Sequence, residues 1–263
     1  MRRNVLITGA SHGIGAATAI AFAKEGCNVG INYFKDKEGA EKTAQLARQY
    51  GIEAEIFYCD VSNCSECENM VEAFIKRFNK IDVLVNNAGG ALQIPEGGFV
   101  DMPMSYWDSQ IRLNLNAAAY CSRPAIKNMI ENKVRGKIIN ISSIHSLVTY
   151  VKRKALPYCT AKAGLNMFTK CLAVEVIKYG INVNCIAPGF ILTKLASRYS
   201  EKEFEAFKRK IPAGFIGSVD DITPLILFLA DDTKSRFIVG QTFVVDGGQS
   251  IDGAIESMIY DLG

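Results

Sequence analysis

Tyr158 and Lys162 stand four residues apart, in a stretch that Pro157 can open as a helix at its first position. Residues i and i+4 share one helix face, so a phenol and an ammonium there can converge on one ligand. A tyrosine hydroxyl titrates near ~10, and a positive charge beside it stabilises the phenolate and lowers that value. Such a phenol can pass a proton to or from a carbonyl oxygen near neutral pH. Taken alone, Tyr-x-x-x-Lys is a common chance pattern whose default reading is surface packing. Ser142 and Ser143 shift that weighting, because they close the apolar run Ile138-Ile139-Asn140-Ile141. Hydroxyls at a strand's carboxyl end lie where open α/β sheets bind ligands.

A second chemistry-bearing set lies near the amino end. Val5-Leu6-Ile7 runs into Thr8-Gly9-Ala10-Ser11-His12-Gly13-Ile14-Gly15, and a helix pattern follows at once. Three glycines let the backbone turn sharply and bring the N–H groups of a helix N-terminus up to a pyrophosphate. A glycine-rich turn alone is weak evidence. Its place after a first strand and inside a βαβ unit makes nucleotide binding the expectation.

The elements that must position these residues alternate along the chain. Short apolar runs at 5–8, 29–33, 55–59, 83–86, 137–141, 182–187 and 242–246 read as strands. Periodic segments at 16–24, 37–50 (closed by Gly51), 65–78, 106–132, 157–179, 193–210 and 220–230 read as helices. Strands apolar on both faces and separated by helices predict a parallel sheet covered on both sides. Right-handed crossovers then give an α/β, doubly wound sheet. With no internal repeat and no linker, residues 1–263 are expected to form a single domain.

Several short motifs fall in one order. After the glycine octet come Asp60-Val61, then Asn86-Asn87-Ala88-Gly89, Ser143, Tyr158 with Lys162, and Pro188-Gly189 with Thr193. From about Asn4 to Gly248 the chain thereby resembles the short-chain dehydrogenase/reductase family. The resemblance implies a Rossmann-type sheet and an NAD(P)-dependent enzyme that moves hydride between nicotinamide and a carbonyl or secondary alcohol. It implies a catalytic tetrad of Asn114, Ser143, Tyr158 and Lys162, with Ser142 as runner-up to Ser143. Ser143 and Tyr158 would polarise the substrate oxygen, and Lys162 would hold the ribose and tune Tyr158. Asn114 matches the residue that holds a proton-relay water. From the residues alone, Asn114 is equally an internally satisfied or a helix-bending polar group. Implied cofactor contacts are Gly9, Ser11, His12, Gly13, Ile14, Gly15, Asp60, Val61, Asn87, Ala88, Gly89, Tyr158, Lys162, Pro188, Gly189, Ile191 and Thr193. Asp60 and Val61 would meet the adenine, and Thr193 the nicotinamide carboxamide.

The end of the second strand bears on which nicotinamide cofactor is used. An acid there bonds the 2′-hydroxyl of NAD and repels the 2′-phosphate of NADP. The sequence is Asn32-Tyr33-Phe34-Lys35-Asp36, with Tyr33 where NAD-preferring relatives carry Asp. Lys35 can neutralise a 2′-phosphate as a point charge. His12 stands where NADP-using relatives often place Arg. NADP is therefore expected and NAD is possible, since a shift of register would bring Asp36 towards the ribose.

Other classes are set aside. Thirty Lys+Arg against 27 Asp+Glu leave a net charge of +3. The basic residues are scattered, unlike the stripe of a nucleic-acid binder. No apolar run approaches the ~20 residues that span a bilayer, so no membrane partner is expected. Eight cysteines lie mostly inside apolar runs, and Met1-Arg2-Arg3 does not lead into a signal-peptide core. Free thiols in the cytoplasm are the expectation. Cys64-Ser65-Glu66-Cys67 is half a zinc site without a second pair, and is set aside as incidental; no metal is expected.

Ser143 and Tyr158 are 15 apart, two more than the family usually has, and the basic run Lys152-Arg153-Lys154 falls between them. His145 either touches substrate or is a loop residue without duty. Residues 190–215 would form a lid, and the tail 251–263 runs past the family's usual end. Met102, Met104, Tyr106 and Trp107 are expected to pack the start of the long helix. The strand end Ser142-Ser143-Ile144-His145 looks like that of sugar 1-dehydrogenases, so a small polar substrate such as a sugar or polyol is favoured. A 3-oxoacyl-carrier-protein reductase is the alternative, although Val134 and Tyr179 occupy its carrier-docking positions, with Arg135 and Lys178 one step away. A silent NADP sensor is the alternative of another class. Relatives are mostly homotetramers that pair their two long helices.

Overall fold

A computed structural model describes residues 2–90, 98–149, 155–193 and 199–251. Within them, seven parallel strands form one sheet in the order β3-β2-β1-β4-β5-β6-β7. The strands are β1 (Asn4–Ile7), β2 (Asn28–Tyr33), β3 (Ala54–Tyr58), β4 (Val83–Asn86), β5 (Lys137–Ile141), β6 (Asn182–Pro188) and β7 (Thr242–Val245). The helices are α1 (Gly13–Lys24), α2 (Lys37–Arg48), α3 (Cys64–Phe78), α4 (Met104–Ile111), α5 (Ala117–Glu131), α6 (Leu156–Val176), α7 (Glu201–Arg209), α8 (Thr223–Ala230) and α9 (Asp232–Ser235). This is the doubly wound, Rossmann-type sheet expected from the alternating runs.

The alternation of side chains along β1 shows why the strands read as uniformly apolar. Val5 and Ile7 enter a core with Phe22, Val29, Ile31 and Ile226, which lies under α1 and α8. Leu6 points the other way, to Phe74, Leu84, Met129, Ile138 and Val183, under α3, α5 and α6. Both faces are buried, so neither leaves room for polar residues. Gly30 on β2 is fixed by this packing, since a Cβ there would meet the Phe74 ring at 2.5 Å. Strand order reverses between β1 and β4, which opens a crevice at their carboxyl ends.

The sequence reading needs correction at several boundaries. The helix expected at 106–132 is α4 and α5 joined by a π-helical segment, Arg112–Asn116. Asn114 Nδ2 donates to the Gln110 carbonyl at 3.1 Å, the acceptor its own backbone N–H would use in an α-helix. That competition accounts for the widened turn. The helix expected at 193–210 begins only at Glu201, where Ser200 and Glu203 form a capping box; 194–198 lie outside the described residues. The segment 220–230 is a 3-10 turn, Val219–Asp221, followed by α8, whose first turn holds a proline. Helix α2 ends at Arg48 with Gln49 as its C-cap, ahead of Gly51. Leu156 precedes Pro157 in α6. The short α9, capped by Asp231, is an addition to the expected elements. Met102 packs as expected, whereas Met104 is exposed.

Among the described residues, no helix is long and apolar enough to cross a membrane, and no group of three or more His, Cys, Asp or Glu is placed to hold a metal. All eight cysteines are free, and Cys59, Cys67 and Cys121 lie together in the α3–α5 core.

Candidate active site

Strand β5 and helix α6 are latched together where their polar residues meet. Lys162 Nζ donates to the Ile141 carbonyl at 2.9 Å, and Ser142 Oγ donates to the Lys162 carbonyl at 3.2 Å. Lys162 is fully enclosed, and burial pulls its ammonium down to about 8, opposed by the nearby Cys185 thiol. Burial pushes that thiol up to about 11, with Lys162 acting against the rise. Lys162 Nζ lies 5.9 Å from the centre of the Tyr158 ring, one turn back on α6. The i, i+4 convergence read from the sequence is therefore present.

Ser142 is spent on the latch. Ser143, the next residue, is the N-cap of a 3-10 turn (Ile144–Ser146), and its Oγ accepts from His145 N at 3.2 Å. The His145 ring lies 6.4 Å from the Tyr158 ring, and its Nδ1 is 3.4 Å from the Val148 carbonyl oxygen.

Asn114 reaches the same place from the π segment. Its Oδ1 accepts from Gly90 N at 2.8 Å, and its Nδ2 donates to Gly90 O, Gln110 O and Gln110 Oε1 at 3.1–3.2 Å. It is both internally satisfied and helix-bending, the two readings its sequence context left open. A Cβ on Gly89 would stand 2.8 Å from Asn114 Oδ1 and 3.2 Å from Lys162 Nζ. Asn114, Lys162 and the loop after β4 thus converge, with the Tyr158 ring beside Lys162.

The glycine turn is held against that loop. Thr8 Oγ1 accepts from Asn87 N and Ala88 N, both at 3.0 Å. Asn87 Nδ2 donates to Thr8 O at 2.9 Å and to Gly9 O at 3.1 Å. Asn32 Oδ1 accepts from Gly9 N at 2.9 Å. Gly9 has φ +62, and a Cβ there would press the Ala88 backbone at 2.9 Å. A Cβ on Gly13 would meet Thr193 at 3.3 Å, which puts Thr193 opposite the turn.

Helix α1 begins behind His12, with no side-chain cap and no acid in its first turn. Helices α2, α3 and α7 are capped by Asp36, Asn63 and Ser200, whereas α4, α6 and α8, like α1, have no side-chain cap. The uncapped N–H groups of α1 fit the pyrophosphate of a dinucleotide. Asp60 Oδ1 accepts from Ser62 N and Oγ, which turns the chain after β3 beside Val61. Pro188, Gly189 and Ile191 continue from the end of β6, and Ile191 bridges to Gly217.

At the 2′ end, Asp36 is the N-cap of α2 and accepts from Gly39 N at 2.9 Å. That bond fixes Asp36 at the start of α2, while Tyr33 closes β2. Lys35 is exposed, its Nζ 5.6 Å from the Phe34 ring centre, and Tyr33 packs edge-on to Tyr58. Phe190, just after β6, packs against Tyr199 and against Phe207 of α7, at 5.6 and 4.6 Å between ring centres. The basic run at 152–154 and residues 252–263 of the tail lie outside the described residues.

The sequence reading missed Gln110, Ser146, Asn166 and Cys185, all of which touch this network. Two carried a signal: Gln110 stands four before Asn114, and Asn166 four after Lys162, each on the face of a residue already singled out.

Comparisons with known proteins agree with the fold. A family model described as enoyl-(acyl carrier protein) reductase matches residues 9–250. The chain is 35% identical over 251 residues to 3beta-hydroxysteroid dehydrogenase 1 of Eggerthella lenta, covering 95% of this chain and 94% of that one. It is 36% identical over 243 residues to 3-oxoacyl-[acyl-carrier-protein] reductase of Synechocystis, covering 92% and 95%. Acetoin dehydrogenase from Enterobacter cloacae superposes with a TM-score of 0.87 at 32% identity, covering 97% and 98%. A variant of actinorhodin polyketide ketoreductase with NADPH superposes at 0.86 with 29% identity, covering 95% and 97%. With its parallel sheet, its glycine turn and relatives along nearly its whole length, this chain belongs to the short-chain dehydrogenase/reductase family of oxidoreductases.

Proposed function

We propose that this enzyme is NADP(H)-dependent and interconverts a carbonyl and a secondary alcohol in a small polar molecule such as a sugar, a polyol or a vicinal hydroxyketone. The observation that carries this reading is the convergence of Asn114 and Lys162 on Gly89, with Tyr158 one turn away. A bound nicotinamide supplies or accepts the hydride. In reduction Ser143 holds the substrate oxygen by a hydrogen bond and the Tyr158 hydroxyl gives that oxygen its proton; in oxidation Tyr158 takes it back. The buried Lys162 ammonium stabilises the phenolate left on Tyr158 and holds the ribose. Asn114 would hold, beside Lys162, a water through which the proton is exchanged with solvent.

Lys35 and the absence of an acid at Tyr33 support NADP over NAD, as does the NADPH-bearing ketoreductase among the relatives. A small oxygenated substrate is supported by the likeness to acetoin dehydrogenase, and by His145, which stands beside Ser143 and can meet a second oxygen. The carrier-protein reductase reading is favoured by the Synechocystis relative. Arg135 weighs against it, since its guanidinium is paired with Asp232 at 3.2 Å. We further propose one domain and a homotetramer, for which Met167 and Val174, both exposed on α6, provide an apolar face.

The test is nicotinamide absorbance with purified protein, offering NADP or NAD with polyols, sugars and acetoin, and NADPH or NADH with 3-oxoacyl thioesters. Turnover of the polyol, sugar or acetoin set with NADP is the expected result. Thioester reduction alone would overturn the substrate reading. Binding of NADPH with silence in both panels would favour a sensor.

A further inference from the structure

Ser143 sits on a loop, and its value in the reaction proposed above depends on where its hydroxyl stands relative to Tyr158. Loops are less fixed than the elements they join. Near-attack geometry is exacting, and a misplacement of ~1 Å can cost about 100-fold in rate. Something must therefore tie the Ser143 loop to the helix that carries Tyr158. The latch between β5 and α6 runs through Ser142, and further along the loop the His145 ring lies 6.4 Å from that of Tyr158.

A chain of hydrogen bonds beyond the tetrad makes that tie. The Ser143 carbonyl accepts twice from Ser146, from its backbone N at 2.9 Å and from its Oγ at 2.6 Å. Because the Ser146 hydroxyl proton is used there, Ser146 Oγ is left to accept. Asn166 Nδ2 donates to it at 2.8 Å. Asn166 Oδ1 in turn faces the Cys185 thiol at 3.5 Å, which sets the amide with its nitrogen towards the loop. Cys185 is fully buried on β6, so the chain is anchored in the sheet. Asn166 lies one turn beyond Lys162 and two beyond Tyr158 on α6, so all three share one face.

We propose that Asn166 and Ser146 form a brace that positions Ser143 against Tyr158. They are positioning residues, and the proposal rests on the reading of Ser143 as the group that holds the substrate oxygen. Two of the brace's links are short and neutral. The lower link is a thiol, a weaker donor. Loss of either Asn166 or Ser146 breaks the same connection, so the two losses should not multiply.

The test uses the full-length protein with its best substrate. Ser146→Thr keeps the hydroxyl and Ser146→Val removes it at nearly the same volume. Ser146→Thr is expected to stay within about 2-fold of the parent, while Ser146→Val and Asn166→Leu each lower kcat about 10-fold. The double variant Ser146→Val/Asn166→Leu is expected to lose about 10- to 20-fold rather than about 100-fold. NADPH affinity is expected to hold within about 2-fold in all four, which separates a lost position from a damaged fold. Equal kcat in the Thr and Val variants, or multiplying losses in the double variant, would overturn the brace. Ser143→Ala is the control that separates the two readings. Full activity in Ser143→Ala overturns the reading of Ser143 and the brace with it. An inactive Ser143→Ala beside a fully active Ser146→Val overturns the brace alone.

Discussion

Lys162 shows at the scale of one residue how the site draws on stability. Its ammonium is taken out of water and donates to the Ile141 carbonyl, and burial brings it from 10.5 to about 8. That is a cost of about 3 kcal/mol to the nucleotide-free fold at neutral pH. The folded value lies below the unfolded one, so between about 8 and 10.5 the unfolded chain holds more protons and stability rises with pH. Lys162→Met fills the space without the charge. It is expected to raise the stability of the nucleotide-free protein at pH 7 by about 2 kcal/mol while abolishing turnover. Denaturant melts from pH 7 to 10.5 check this, and the gain should shrink as pH rises through the window. A gain that is independent of pH, or a loss, would show that the buried charge costs nothing. Gln110 carries a smaller burden of the same kind: its buried Nε2 has no partner among the described residues, while its Oε1 holds Asn114.

Helix ends and a widened turn decide the site at the scale of elements. Helix α1 leaves its first N–H groups uncapped, which costs stability unless a ligand satisfies them. His12→Asp should supply the missing cap. The expected outcome is a nucleotide-free protein more stable by about 1 kcal/mol. NADPH and NADH should both bind at least about 10-fold more weakly, because the carboxylate takes the same N–H groups and repels phosphate. Calorimetric titration with both nucleotides measures this, and unchanged affinity would place the pyrophosphate elsewhere. A bend at Asn114 was open in the sequence, but the extent of the π segment over Arg112–Asn116 was not, because no residue type marks a wider turn. The start of α7 was legible in principle, since Ser200-Glu201-Lys202-Glu203 is a capping-box pattern. The apparent periodicity upstream of it outweighed that signal.

Across the whole molecule, the doubly wound sheet could be read from the alternation of apolar runs and helices, and the order of the short motifs identified the family. What the sequence could not supply was lateral: which polar groups from distant segments meet. Asn32 with Gly9, Asn87 with Thr8, and Asn166 with Ser146 are pairings between elements, and no local pattern encodes them. The proposed tetrad could be put forward because the spacing of Tyr158 and Lys162 within α6 is local and Ser143 closes a strand. Its braces could not.

Tyr158→Phe tests the assignment of proton transfer most directly, because it removes one oxygen and leaves the ring that packs beside His145 and Lys162. The measurement is a pair: NADPH binding by fluorescence titration, and kcat with the best substrate. Binding within about 3-fold of the parent, with kcat reduced at least about 1,000-fold, is the expected result. Turnover near the parental rate with binding intact would contradict Tyr158 as the residue that moves the proton, whatever the substrate proves to be.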